Sequence, residues 1–192
     1  MALGQRPRRR AREEPEREGP PDAPADPESV ARTICLNLLT GRARTRAELA
    51  TELARRDVAD EVAVAVLDRL EEVRLLDDSA FAEQWVDSRH RHRGLGRRAL
   101  SQELRHKGVD TEVANAALDE LDPESERAKA AELVRRRLPS LDRVEPQAAA
   151  RRLVGMLARK GYGAGLAYDV VRTEMAARGA ELEGDVPDDD AL

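Results

Sequence analysis

An apolar pattern that recurs about every 50 residues is the strongest constraint on how this chain folds. Offsets of 51 and 53 residues align the three copies. The aligned positions are Leu49, Leu53 and Val58 in the first copy, Leu100, Leu104 and Val109 in the second, and Leu153, Leu157 and Tyr162 in the third. Within each copy the apolar residues lie three or four positions apart, which is the helical period. The pattern predicts an all-α protein of three tandem three-helix modules, at 30–77, 78–122 and 123–179.

Both ends of the chain lack this pattern. Residues 1–29 are rich in Pro, Arg and Glu, and 180–192 carry six acidic and no basic residues. Such composition does not bury enough apolar surface to order a chain, so we predict two disordered tails. Modules of about 50 residues have small cores and depend on their neighbours, which favours an elongated, curved array.

Capping residues place nine helices in the region between the tails. Thr45 and Glu48 form a capping-box pattern, and Asp78 is an N-cap candidate for the fourth helix. Gly108 and Gly161 are predicted to end helices in the left-handed conformation. Pro123 and Pro146 suit first helical turns. Val30, Ile34 and Leu38 form the predicted apolar stripe of the first helix.

Composition removes several other classes of protein. Aromatic residues make up 2% of the chain, which disfavours an all-β fold, and no apolar run has the length of a membrane span or signal sequence. We therefore expect a cytoplasmic protein without membrane contact. Cys35 is interpreted as a core residue, and three His with one Cys give no metal-ligand spacing, so no metal or cofactor is expected. The chain has no nucleotide-binding or hydrolase motif, so we do not expect an enzyme.

Charge is unevenly distributed along the chain. The net charge is −5, but residues 30–179 hold 27 basic and 25 acidic residues. Candidate contacts to nucleic-acid phosphate or an acidic partner are Arg89, Arg91, Arg93, Arg97, Arg98, Arg105, Lys107, Arg135, Arg136, Arg137, Arg151, Arg152, Arg159 and Lys160. His90, His92 and His106 are assigned to the same basic face. Gly94 and Gly96 allow a tight turn and close approach to a ligand. Phe81 and Trp85 are expected to pack in the core, and Tyr162 to pack inward with its hydroxyl in water.

The residue pattern of 77–109 characterises the chain more specifically than its composition does. Its distinctive residues are Asp77-Asp78, Phe81, Trp85, Ser88-Arg89, Gly94, Gly96, Glu103-Leu104-Arg105 and Lys107-Gly108. In this combination the segment resembles the middle module of the RecX family. The third module has a pattern similar to that of the middle module. The first module resembles the family's weaker opening repeat, with Asp57 where the other two copies have Gly. The resemblance covers about 150 of 192 residues and excludes the tails.

The resemblance implies a monomeric, non-enzymatic regulator of the RecA recombinase that acts in DNA repair, homologous recombination and the SOS response. Such proteins bind RecA and its filament on single-stranded DNA. They inhibit filament growth, ATP hydrolysis, strand exchange and coprotease function. Direct contact with single-stranded DNA is expected to be weak and independent of sequence.

Two other interpretations of the residues remain open. Residues 47–77 have the pattern of a helix-turn-helix, which would make the protein a transcription regulator, although the recognition helix at 60–73 would be apolar and acidic. Alternatively, the basic residues dock an acidic protein and never contact nucleic acid. The acidic tail either maintains solubility or competes with phosphate for the basic surface.

Overall fold

The computed structural model describes residues 26–179, and the predicted disorder of 1–25 and of 180–192 lies outside them. Nine α-helices and one short 3₁₀ helix follow one another, and no strand occurs among the described residues. The helices are α1 (Pro27–Gly41), α2 (Arg46–Ala54), α3 (Asp60–Glu72), α4 (Asp78–Arg93), α5 (Arg97–His106), α6 (Thr111–Asp119), α7 (Pro123–Arg137), α8 (Pro146–Arg159) and α9 (Ala164–Ala177), with the 3₁₀ helix at Leu138–Leu141. The predicted all-helical fold is confirmed.

Each set of three consecutive helices surrounds a separate cluster of buried side chains. The first cluster draws its buried residues from 31–76, the second from 81–118 and the third from 130–175. Paired leucines of the second helix are central to each cluster, namely Leu49 and Leu53, Leu100 and Leu104, and Leu153 and Leu157, all completely buried. The repeat that aligns the sequence therefore marks the helix on which each small core is built.

Three helix starts differ from their predicted form. α1 begins at Pro27, three residues earlier than expected, because Asp26 accepts a hydrogen bond from the amide of Ser29. Asp77, not Asp78, caps α4 by accepting from the amide of Ala80. Thr45 caps α2 through the amide of Glu48, but only half of the capping box forms.

The first helix also buries different residues from those of the predicted stripe. Ala31 and Cys35 are completely buried, whereas Val30 is 41% exposed, and Ile34 and Leu38 pack at the margin of the core. The buried stripe is thus shifted by one position, onto the small residues Ala31 and Cys35. The interpretation of Cys35 as a core residue is confirmed.

The modules are joined end to end through their second helices. The Thr45 hydroxyl, at the start of α2, donates to the carbonyl of Lys107, just after the end of α5. In the same way, the amide of Gly96 at the start of α5 donates to the carbonyl of Lys160 at 2.8 Å, just after the end of α8. Thus α2 begins at the end of α5, and α5 begins at the end of α8.

Glycine is required at both junctions. A Cβ on Gly108 would lie 2.3 Å from the Cβ of Ala47, and one on Gly161 would lie 2.2 Å from the backbone nitrogen of Ala99. Both glycines also have positive φ, as their predicted helix-ending role requires. Asp57 occupies the equivalent position after α2 with φ 57°. The backbone conformation is therefore kept in the first module even where glycine is replaced.

Two buried polar side chains complete the junction between the second and third modules. Tyr162 is 1% exposed, and its hydroxyl donates to the carbonyl of Gly94 at 3.2 Å, so the expectation of a hydroxyl in water is wrong. Its burial raises the pKa of the phenol. His90 is 5% exposed, with Nδ1 2.9 Å from the carbonyl oxygen of Leu95, and so does not belong to the basic face. The Gly96 backbone, expected to approach a ligand, instead approaches Tyr162.

We expect Gly161→Ala to lower the free energy of unfolding by about 2 kcal/mol or more, because the new methyl group collides with backbone at a left-handed residue. Gly179→Ala is the matched control, since φ is +84° there and nothing lies within 4 Å of the added Cβ. Urea unfolding followed by circular dichroism measures both. Equal losses in the two variants would show that the close approach to Ala99 does not stabilise the protein.

Candidate protein and nucleic-acid interface

An open groove lies on the outer side of the third module. It has a volume of about 760 Å³ and is lined by four arginines, Arg137, Arg151, Arg152 and Arg159, with Leu141, Ala148 and Met156. All four arginine side chains are exposed, and none has an ion pair or side-chain hydrogen bond to a described residue. Four uncompensated guanidinium groups around one concavity form a site for a polyanion or an acidic protein surface.

The spacing of residues on α8 creates this groove. Leu153 and Leu157 face the core, and the opposite face carries the arginines together with small residues. A Cβ on Gly155 would lie 3.4 Å from a guanidinium nitrogen of Arg159, so the Arg159 side chain extends across the glycine. Arg152 and Arg159 are separated by two helical turns, about 10.5 Å along the axis. Small residues between long ones thus give the helix a recessed basic face.

A smaller cavity of about 360 Å³ lies on the second module, between α5 and α6. Arg98 and Arg105 line it, again seven residues apart, and no described residue forms an ion pair or side-chain hydrogen bond with either of them. Arg97 lines it too, but its guanidinium donates to the Leu118 carbonyl and pairs with Asp119. The second and third modules therefore carry related basic faces on their second helices.

Half of the fourteen predicted contact residues are engaged within the protein. Arg89 and Arg93 both pair with Glu103, and Arg91 pairs with Asp87 on its own helix. Arg135 pairs with Glu174. The other engaged members are Arg97, Lys107 and Lys160. The seven without an ion pair or side-chain hydrogen bond among the described residues are Arg98, Arg105, Arg136, Arg137, Arg151, Arg152 and Arg159.

Lys107 belongs to the junction between the first and second modules. Its Nζ lies 2.6 Å from a carboxylate oxygen of Glu48 and 4.9 Å from the ring centroid of Trp85. Partial burial on its own raises the pKa of Glu48, but hydrogen bonds from Lys107 and Arg42 outweigh it and keep that pKa below its usual range. This pairing explains why the Glu48 carboxylate does not complete the capping box.

The side chain of Trp85 contacts two cationic groups, those of Lys107 and Arg89, and one carboxylate, that of Glu103. The guanidinium of Arg89 lies 4.1 Å from the ring centroid, and the indole nitrogen donates to Glu103 at 2.9 Å. The ring of Phe81 stacks on the ring of Trp85, with the two ring centroids 5.4 Å apart. Phe81 is buried as expected, whereas Trp85 packs at the margin of the core. The basic residues around Trp85 therefore stabilise the middle module.

Lys160 is the corresponding residue at the second junction. Its Nζ donates to the Arg93 carbonyl at 2.7 Å. Burial lowers the pKa of Lys160, and the nearby charges of Arg136, Arg93 and Lys129 lower it further. These like charges lie at the end of α4 and on α7, which come together beside Lys160 at this junction.

The geometry of α3 bears on the helix-turn-helix interpretation. Arg46 pairs with Asp68 at 2.6 Å and with Glu71 at 2.8 Å, which fixes two carboxylates on this helix. A helix that enters the major groove requires donors and positive charge on its outer face. No strand that would form a wing is present in residues 26–179. The structure therefore gives α3 an acidic outer face unsuited to reading DNA.

Residues 26–179 contain no group of three or more His, Cys, Asp or Glu arranged to hold a metal ion. None of the described helices combines the length and apolarity needed to span a membrane.

Three stacked three-helix modules, of which the second and third carry basic concavities, define an all-helical modular array, a class that presents extended binding surfaces. Two family models match the chain, the second three-helix domain of RecX over residues 77–118 and the first over 31–70. A regulatory protein RecX from Thermobifida fusca is 53% identical over 90% of this chain and 95% of its own. One from Mycolicibacterium smegmatis is 55% identical over 80% of this chain and 84% of its own. The chain therefore belongs to the RecX family, whose members here are named regulatory proteins.

Solved structures share the fold. A crystal structure of RecX from Lactobacillus salivarius superposes with a TM-score of 0.72, at 22% identity over 80% of this chain and 97% of that one. A second crystal structure of regulatory protein RecX gives a TM-score of 0.70, at 23% identity over 78% of this chain and 73% of that one. The stacking of helical modules is thus retained in chains of low sequence identity.

The division of basic residues into paired and unpaired sets predicts different effects on stability. Lys107→Met should lower the free energy of unfolding by about 1–2 kcal/mol, because it leaves the carboxylate of Glu48 partly buried without this partner. Arg105→Met should change it by less than about 0.5 kcal/mol, because the Arg105 side chain is exposed. Urea unfolding followed by Trp85 fluorescence compares them. A larger loss for Arg105→Met would reverse the assignment.

Proposed function

We propose that this protein regulates the RecA recombinase by binding RecA and its filament on single-stranded DNA, and that it inhibits filament growth, ATP hydrolysis, strand exchange and coprotease function. Membership of the RecX family supports this proposal, because the relatives are named regulatory proteins of that family. The single observation that carries the surface assignment is the groove lined by Arg137, Arg151, Arg152 and Arg159. These four side chains have no ion pair with a described residue, whereas most of the candidate basic residues of the middle module are paired.

The mechanism follows from the shape and charge of the array. Exposed guanidinium groups recognise phosphate or carboxylate with two parallel hydrogen bonds, and neither ligand requires base-specific contacts. The exposed arginines lie on helices of successive modules, so one molecule would contact several points along an extended partner. Occupation of a filament in this way would obstruct addition and rearrangement of RecA subunits without any chemistry by the regulator. The protein would act as a monomer in the cytoplasm, without a cofactor.

Inhibition of RecA's ATP hydrolysis on single-stranded DNA is the first test. We expect hydrolysis by the RecA of the same organism to fall when this protein is added at less than one copy per RecA, because blocking growth at few points affects many subunits. The variant Arg151→Gln, Arg152→Gln, Arg159→Gln should need at least about tenfold more protein, since each lost charged contact weakens binding by on the order of 1 kcal/mol.

The matched control removes the same charge from the first module, with Arg32→Gln, Arg55→Gln and Arg69→Gln, all exposed. It should inhibit as the unmodified protein does. Full inhibition by the groove variant would remove this surface from the proposal. No inhibition by the unmodified protein, with its helical circular dichroism intact, would reject regulation of RecA.

Salt dependence separates contact with DNA from contact with protein alone. Binding to oligothymidylate through Z phosphates gives a slope of log K against log salt of about −0.7Z, and the groove variant should reduce its steepness by about 2. Fluorescence anisotropy at several salt concentrations measures the slope. Absence of binding to the bare strand at low salt, combined with inhibition of RecA, would mean that the arginines dock an acidic protein surface.

A further inference from the structure

We propose that the acidic segment 180–192 of this chain binds in cis in the groove lined by Arg137, Arg151, Arg152 and Arg159, and that it masks the groove until a polyanion displaces it. The proposal rests on the function proposed above, because it describes how that same surface is regulated. It names one occupant for the groove, which is a segment of the chain itself.

Charge complementarity is the first argument. The groove presents four guanidinium groups without a carboxylate partner among the described residues, although ion pairs engage six of the fourteen candidate basic residues. The segment 180–192 offers six carboxylates and no basic residue. Carboxylates are natural ligands of arginine, and both are available on the same chain.

Position is the second argument. Gly179, the last described residue, lines a cavity with Leu138, Leu141 and Arg178. Leu141 also lines the arginine groove, so the 3₁₀ helix separates the point where the acidic segment begins from the groove. Arg178 is held there by an ion pair with Asp142 at 2.9 Å. The last described residue, Gly179, is therefore separated from the groove by the 3₁₀ helix alone.

Reach is the third argument. Thirteen residues span up to about 43 Å when extended, whereas α8, with 14 residues, is about 21 Å long. The segment is thus long enough to lie along the whole arginine face. Attachment to the same molecule gives the carboxylates an effective concentration on the order of millimolar, so individually weak ion pairs are sufficient to occupy the groove. Salt and competing phosphate weaken such pairs, which makes the occupation reversible.

Paramagnetic relaxation in the full chain, without DNA or RecA, tests the docking directly. A nitroxide on Ala191→Cys is the label, and the native Cys35 is completely buried and does not compete for it. At low salt we expect selective broadening of the backbone amide signals of α8, with those of α2 unaffected. The broadening should disappear at 0.5 M salt and in Arg151→Gln, Arg152→Gln, Arg159→Gln.

The control carries the same nitroxide label on a chain in which the six acidic residues of 180–192 are replaced by the corresponding amides. The substitutions are Glu181→Gln, Glu183→Gln, Asp185→Asn, Asp188→Asn, Asp189→Asn and Asp190→Asn. It should lack the selective broadening, and it should bind oligothymidylate about fivefold or more tightly than the unmodified chain. Equal broadening of α8 in this control would overturn the proposal. A mixture of nitroxide-labelled molecules with label-free molecules whose amide signals are observed tests contact between copies. Broadening of α8 in that mixture would overturn the proposal in favour of docking between two copies.

Adding oligothymidylate distinguishes this inference from the proposed function. Loss of α8 broadening on titration supports both masking and phosphate binding in the groove. Selective broadening that survives saturation with the strand would leave the acidic segment docked and reject displacement, and with it regulation of the groove. Absence of broadening in the first place would reject docking, while inhibition of RecA would stand on its own measurement.

Discussion

The end-to-end contact between second helices is the constraint on which the rest of this structure depends. At one junction the amide of Gly96 donates to the carbonyl of Lys160, and at the other the hydroxyl of Thr45 donates to the carbonyl of Lys107. Such close approach leaves no space for a Cβ at Gly108 or Gly161. The modules have small separate cores, so these junctions decide whether three short helical bundles behave as one protein.

The same junctions determine where positive charge is available for binding. Lys107 and Lys160 lie at the ends of second helices and are drawn into contacts with the neighbouring module. Exposed arginines on the outer faces of α5 and α8, such as Arg105 and Arg152, form no ion pair with a described residue. Stacking therefore separates basic residues that stabilise the array from those that remain free for a ligand.

Much of the fold was predictable because its determinants are local. Residues within one or two helical turns determine the apolar spacing and the left-handed conformations of Gly108 and Gly161. They also determine the helix starts at Pro123 and Pro146. Errors occurred where two adjacent residues were chemically equivalent, as with Asp77 and Asp78 as caps. They also occurred where a residue contacts another module, as with Tyr162, whose hydroxyl donates a hydrogen bond to the carbonyl of Gly94.

The sequence by itself determined the helical period, the threefold repeat and the clusters of arginine in the second and third modules, because each is a property of neighbouring positions. Only the tertiary structure decided which of those arginines are free. Arg89 and Arg93 meet Glu103, and Arg135 meets Glu174, across separations of 10 to 39 residues. No local pattern encodes these pairings, since they arise when separate helices pack around a common core. The recess between Arg152 and Arg159 likewise exists only because α8 packs with its leucines inward and Gly155 outward.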